Sequence, residues 1–384
     1  MANSLAEVFR RYGPTYLQKF GNTVPIAHRK VMHAIEHCRS GSFGHAVYRC
    51  DACGTTHYVG RSCGNRHCPT CQQHKVQSWL GRELDQLLPC EYFLVTFTMR
   101  PELRRVVRSK PAVAYTILFQ AAAAALAELA ADPRHMGAAR LGFLAVLHTW
   151  GRTLEYHPHI HVVVPAGGLS ADGTRWCPCR PGFFLPVRAL SVLFRAKVRD
   201  LMKQAGLGNT MDRTIWQSPW VVHVQPVGDG RHALEYLSRY VFRVAISNAR
   251  IISCDDGRVQ FRYKKSGRRN WSTMSLEAHE FIRRFLQHVV PSGFQRVRHY
   301  GFLSPASKHS IAEVRRRVED FAFQSTLTAT ALAVAPALPR PLTCPTCGGM
   351  LHLVAIALPW RLLVLRRLVL RCDRQRAAPR VYSG

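Results

Sequence analysis

Between Cys38 and His74 the chain carries six cysteines and four histidines, and this stretch limits what the front of the protein can fold into. The segment, CRSGSFGHAVYRCDACGTTHYVGRSCGNRHCPTCQQHK, shows little sustained apolar periodicity. A piece this small cannot bury enough surface to fold on a core of its own, so something else must close it. Two Cys-x-x-Cys pairs, Cys50/Cys53 and Cys68/Cys71, supply that closure. Each knuckle offers two thiolates, and the intervening loop can bring both pairs to one tetrahedral zinc ion. The spacing therefore predicts a first zinc site of Cys50, Cys53, Cys68 and Cys71. Cys38, His45 and Cys63, with His67 beside them, are the donors left for a second. Such metal is structural, because the segment folds only when the ion links it. A third pair, Cys344/Cys347, has only Cys372 after it and reads as half of a zinc ribbon. Cys177 and Cys179 read as incidental, Cys90 and Cys254 as buried thiols.

Charge narrows the class of partner. Lys and Arg number 53 against 23 Asp and Glu, a formal net charge of +30. A field of that sign draws polyanions, nucleic acid above all. The opening MANSLAEVFRRYG mixes acidic and basic residues before any apolar core, unlike a secretory signal. The apolar stretch LHLVAIALPWRLLVLRRLVL is interrupted by Pro359, Arg361, Arg366 and Arg367, short of the roughly 18 uncharged residues a membrane span needs. These features predict a cytoplasmic protein without a membrane partner, whose thiols are metal ligands or free rather than disulfides.

Texture divides the chain into 1–90, rich in Cys, His and Arg; 91–305, where strands and helices alternate; and 306–384, a basic helix (SIAEVRRRVEDF), an Ala/Pro/Thr stretch and the lone Cys pair. In the middle zone, strands are expected at 91–99, 141–150, 157–167 and 220–227, with helices at 112–132, 231–245 and 276–289. A hairpin with an Asp-Gly turn is expected at 250–265. This order is α+β, with a mostly antiparallel sheet and helices packed on one face.

Within it, LEYHPHIHVVV sets His157, His159 and His161 on one side of a strand, because side chains alternate faces. Imidazoles two apart on a strand lie roughly 6–7 Å apart at the backbone, close enough to share one ion. Further on, HALEYLSRYVFR puts Tyr236 and Tyr240 one helical turn apart on one face, with Arg239 and Arg243 among them. A phenol of pKa near 10 needs a cation to polarise a phosphodiester before it can attack. Two imidazoles with a third ligand would hold one: Mn²⁺ takes imidazole more readily than Mg²⁺, which prefers oxygen. Strand-borne histidines, helix-borne tyrosines and a basic surround together make a phosphoryl-transfer kit. His157 is nominated as third ligand on its shared strand face, with His223, Gln225 and Glu235 as alternatives near the tyrosine helix.

The His-Ile-His triplet followed by Tyr-x-x-x-Tyr resembles the HUH endonucleases, which nick single-stranded DNA through a 5′-phosphotyrosine. HPHIHVVV, YLSRYVFRVAISNARI and EFIRRFLQHVVPSGFQRVRHYGFL are similar to the two-tyrosine transposases of the insertion-sequence ninety-one type, from about residue 5 to 350. The resemblance implies the small antiparallel sheet with packed helices of that superfamily, His159 and His161 as the metal pair, and Tyr236 and Tyr240 as nucleophiles. It also implies a zinc-binding domain at the front, where SCGNRHCPTCQ matches its pattern, and rolling-circle-like transposition. Arg61, Arg66, His67 and Lys75 would form a positive surface for the element's ends. FQRVRHYGFL interleaves Arg296 and Arg298 with aromatic residues, a pattern suited equally to phosphate contacts beside base stacking and to a half-exposed strand. A plasmid relaxase or replication initiator would use the same chemistry, although no Walker-type loop is present. A zinc-dependent DNA-binding protein without catalysis would leave the histidines and tyrosines structural.

Overall fold

The computed structural model describes residues 4–207, 212–241, 245–265, 270–325 and 342–359. In chain order, α1 (Leu5–Phe20) and α2 (Ile26–Glu36) precede a hairpin of β1 (His45–Cys50) and β2 (Thr56–Gly60). Then follow α3 (Gln73–Asp85), β3 (Tyr92–Thr98), α4 (Arg104–Ser109), α5 (Pro111–Ala131), β4 (Phe143–Trp150) and β5 (Tyr156–Pro165). The short β6 (Gly167–Leu169) and β7 (Trp176–Pro178) lead to α6 (Val187–Gln204), α7 (Thr214–Gln217), β8 (Val222–Pro226) and α8 (Arg231–Val241). Last come β9 (Ile251–Ser253), β10 (Arg258–Lys264), β11 (Trp271–Glu277), α9 (Ala278–Leu286), β12 (Val297–Tyr300), α10 (Ile311–Ser325) and β13 (Leu351–Ala357).

These elements form two compact units, one holding the residues up to Gln72 with the C-terminal segment, the other starting at Gln73. The boundaries differ from 1–90, 91–305 and 306–384, and the reason is pairing across long sequence separations. β13 runs antiparallel to β1, from His45 opposite Ala357 to Cys50 opposite Leu351, so the lone Cys pair belongs to the front unit. Helix α10 instead buries Val314 and Val318 in the core of the second unit.

The second unit is built on an antiparallel sheet in the order β12-β4-β5-β3-β8. One face carries Phe93, Val95, Phe97, Ile160 and Val162 against α5 and α6. The opposite face carries Leu144, Val146 and Val163 against Trp79 of α3, Leu234 and Leu237 of α8, and Val314 of α10. Helices therefore cover both faces rather than the single face expected. The cause is visible in HIHVVVP: past the histidines both alternating sets are β-branched, and each must be buried. Helix α6 was not read from the sequence, because its charged residues mask a stripe of Leu190, Phe194, Val198 and Met202. Among the described residues, α5 is the one helix long and apolar enough to cross a membrane; Ile117, Leu118, Phe119 and Leu126 are buried in the core.

A smaller antiparallel sheet, β11-β10-β9, projects from the same unit. The Asp-Gly turn sits where expected, with positive φ at Asp256 (51°) and Gly257 (71°). Val259 and Phe261 face inward with Phe281 and Phe285 of α9.

Candidate active site and cysteine metal centres

On β5, His159 and His161 point to the sheet face that receives α8. The ladder then adds a partner, since His159 lies directly opposite His148 on β4. Opposed residues of an antiparallel pair share a face, so three imidazoles converge. Their ring centroids are 4.6 Å (His148–His161), 4.8 Å (His159–His161) and 5.4 Å (His148–His159) apart. One nitrogen from each lies within 4.8 Å of the others. The His159 Nδ1–H donates to the His157 carbonyl (2.7 Å), which leaves its Nε2 lone pair aimed at His161 Nε2, 3.1 Å away. Thr96 Oγ1 bonds His161 Nδ1 at 3.0 Å. Burial drives the His159 imidazole down to about 4, and His148 and His161 well below the usual histidine range. Three neutral imidazoles with gathered lone pairs fit a divalent cation.

His157, nominated for this group, stands outside it. Arg104 Nη2 donates to its Nδ1 at 3.0 Å, and that lone pair is already engaged. His223 lies opposite Thr96, which lies opposite His161, so it is two strands removed. Glu235 accepts from His232 Nδ1 at 3.2 Å, and Gln225 is exposed on β8. His148 carries no local signal, being a single histidine in LHTW; strand register alone selects it.

Helix α8 docks through Ala233, Leu234, Leu237 and Val241, an i, i+1, i+4, i+8 stripe. At the edge of that stripe stands Tyr236, 44% exposed, with its ring perpendicular to His161 at 6.3 Å between centroids. Both line one cleft of about 730 Å³. Tyr240 follows one turn later; its side chain, that of Arg239, and residue Arg243 lie outside the described residues. Asp229 Oδ1 accepts from the Arg231 N–H at 3.0 Å at the start of the helix. At its end, Arg296 Nη2 donates to the Val241 carbonyl at 2.7 Å.

One expected DNA contact is thereby corrected, and the other is placed on the far face of the sheet. Arg296 is 6% exposed and anchors the tyrosine helix instead of meeting solvent. Arg298 lies opposite Ala145, on the face away from the histidines, with its guanidinium 4.3 Å from the Phe119 ring. Arg296→Met is expected to lower stability by about 2 kcal/mol, the worth of a buried charge-assisted hydrogen bond. Hydrogen exchange across 231–241 should quicken with it, and unchanged protection there would remove Arg296 from this role.

The cysteines sort differently from their spacing. Cys38, Cys63, Cys68 and Cys71 form one cluster, and Cys50, Cys53, Cys344 and Cys347 another, all four sulfurs of each within 4.8 Å. Individual Sγ separations are 3.7 Å (Cys63–Cys71), 3.5 Å (Cys50–Cys347) and 3.8 Å (Cys53–Cys344). Four sulfurs 2.3 Å from one tetrahedral zinc sit about 3.8 Å apart, so both clusters have the size zinc requires. The two front knuckles thus fall in different clusters, because pairing of β13 with β1 brings the third knuckle to the first. His45 and His67 belong to neither cluster: His67 is buried with Nδ1 3.1 Å from Asn65 Oδ1, and His45 opens β1. His57 Nε2 reaches Cys344 Sγ at 3.3 Å. Burial raises the Cys344 thiol, but the backbone N–H groups of Thr346 and Cys347 and this histidine outweigh it and bring it to about 5. A thiol so poised ligates metal readily. Arg61 and Lys75 are exposed and Arg66 half-buried, with Lys75 falling in the second unit.

Residues 8–99 match the family described as the transposase zinc-binding domain of the IS91 type, and residues 142–310 match the family described as "Putative transposase". A protein of Sinorhizobium fredii named putative transposase y4qJ is 43% identical over 320 residues, spanning 78% of this chain and 80% of its own. The transposase for insertion sequence element IS801 of Pseudomonas savastanoi pv. phaseolicola is 26% identical over 294 residues, 70% of this chain and 68% of its own. No solved structure matches the chain at a significant level. Zinc-domain match, cysteine clusters and a relative of this identity and coverage agree: the chain belongs to the IS91 family of transposases, enzymes that cut DNA and transfer its strands.

Proposed function

We propose that this transposase nicks single-stranded DNA in the cytoplasm and carries the cut strand as a 5′-phosphotyrosine on α8. The observation that supports this reading best is Tyr236 beside the histidine cluster, on the wall of one cleft. His148, His159 and His161 would hold Mn²⁺ or Mg²⁺, their donor chemistry favouring Mn²⁺. Held by these three imidazoles, such an ion would supply Lewis-acid polarisation of the scissile phosphate.

Tyr236 Oη attacks phosphorus as the bond to the 3′ oxygen breaks. The phenolic proton is lost and the leaving oxygen gains one, giving a 5′-phosphotyrosyl end and a free 3′-hydroxyl. The phosphodiester energy is retained, so rejoining needs no nucleotide cofactor. Tyr240, one turn on, serves as the second nucleophile, holding one 5′ end while the other terminus is cut. In the front unit, Cys38, Cys63, Cys68 and Cys71 would bind one structural zinc, and Cys50, Cys53, Cys344 and Cys347 another. Arg61, Arg66 and Lys75 are proposed DNA contacts, and Arg239 and Arg243 are proposed to accompany the tyrosines.

The test is a single strand from the element's terminus, labelled and incubated with the protein and Mn²⁺. Denaturant-resistant adduct should form, and the nucleotide should map to the 231–243 peptide by mass spectrometry. Each tyrosine changed alone to Phe should remove its own adduct, and both together all of it. Cleavage that survives the double change refutes the phosphotyrosine mechanism.

A further inference from the structure

The five-stranded sheet, its helices and the histidine cluster are complete without β9, β10 and β11, yet these three strands form a separate sheet with its own buried side. Val259 and Phe261 pack with α9, so the hairpin of β10 and β11 is a built support. Its far end reaches the histidine cleft, where Tyr263, Lys264, Lys265 and Trp271 line the wall. Trp271 is 54% exposed, an unusual setting for a side chain that is highly buried on average. Lys264 lies opposite Trp271 in the ladder, with Nζ 5.2 Å from the centre of the indole ring.

The hairpin is tied to the rim of the cleft. Arg152, in the turn between β4 and β5, donates through Nη1 to the Lys264 carbonyl at 3.1 Å. Arg250 donates through Nε to the Arg262 carbonyl (2.7 Å) and through Nη2 to the Arg152 carbonyl (3.0 Å). These bonds hold Trp271 and two lysines at the histidine cleft, while Tyr263, opposite Ser272, stands on the other face of the hairpin. Flat rings beside cations are what a single strand requires: every base has a π-face to stack, and every linkage a negative charge. A duplex, with its bases already stacked on each other, offers neither face.

We propose that Trp271 forms a stacking subsite for a nucleobase of the strand whose phosphate lies at the histidines, with Lys264 and Lys265 against its backbone. This rests on the single-strand reading above and adds the residues that would seat the strand before any bond is cut. The subsite is sequence-tolerant, since stacking reads the face of a base and not its edge.

The experiment uses the full-length zinc-loaded protein without added Mg²⁺ or Mn²⁺, and an oligothymidylate containing 5-iododeoxyuridine, which crosslinks to a stacked aromatic ring on irradiation. Crosslinks should map by mass spectrometry to Trp271. Trp271→Ala should lower their yield at least about tenfold, in line with the loss of one base–aromatic stack, and Trp271→Phe should restore most of it. Binding of a fully abasic strand of equal length should be the same in all three proteins, which separates stacking from charge and from misfolding. Crosslinks on other aromatic residues, an unchanged yield in Trp271→Ala, or equal weakening toward the abasic strand would each overturn the subsite. Because no cleavage is read, failure of the phosphotyrosine assay leaves this result standing, and the reverse holds as well.

Discussion

Replacing His148 by alanine is expected to reduce metal-dependent cleavage by about a thousandfold, the equivalent of about 4 kcal/mol of transition-state stabilisation. His148 is buried between His159 and His161 and faces them across the ladder, so its loss takes one of three nitrogens from the candidate ion site. Two imidazoles alone would hold a divalent ion far more weakly. Mn²⁺ binding followed by electron paramagnetic resonance should weaken in parallel, and excess Mn²⁺ should recover part of the activity. His157→Ala is the informative comparison. Its imidazole accepts from Arg104 and lies outside the trio, so the same change there should reduce cleavage far less. The opposite ranking, with His157 indispensable and His148 dispensable, would return the third position to the strand-face nomination and refute the cross-strand site.

Changing Cys344 or Cys347 to serine should remove one of two zinc ions per chain and destabilise the front unit. The second cluster joins a knuckle at Cys50/Cys53 to one near the other end of the chain. That crosslink holds β13 on β1, a pairing that leaves Leu353, Val354 and Ile356 more than half exposed and so gains little from burial. Binding of structural zinc is worth roughly 10 kcal/mol or more in small domains. Strand pairing of this kind therefore depends on the metal. Elemental analysis should fall from two zinc ions to one in Cys344→Ser, with earlier thermal unfolding and faster exchange in β1 and β2. Zinc content that stays at two would mean the front knuckles share an ion after all, as their spacing first suggests. Strong chelators should reproduce the unfolding in the unaltered protein.

Much of this protein was legible where the signal is local. Alternation over LEYHPHIHVVV placed His157, His159 and His161 on one strand face, and a four-residue interval placed Tyr236 and Tyr240 on one helix. Both follow from the periods of strand and helix, which need no knowledge of the rest of the chain. The Asp-Gly turn at 256–257 and the apolar helix at 111–131 were visible for the same reason. Residues whose meaning depends on a distant partner were misread. Arg296 looked like a surface cation in a basic run, but it is buried against the last carbonyl of α8.

What the amino-acid order determined alone was the set of donors: imidazoles on a strand, phenols on a helix, thiols in pairs, and a positive field to bring DNA to them. Which donors meet was decided only in three dimensions. Register set His148 across from His159, and closure of β13 on β1 gave Cys50 and Cys53 to Cys344 and Cys347 instead of to Cys68 and Cys71. Local periodicity is written in neighbouring residues, whereas ladder register and ring closure depend on the burial of whole faces far apart in sequence.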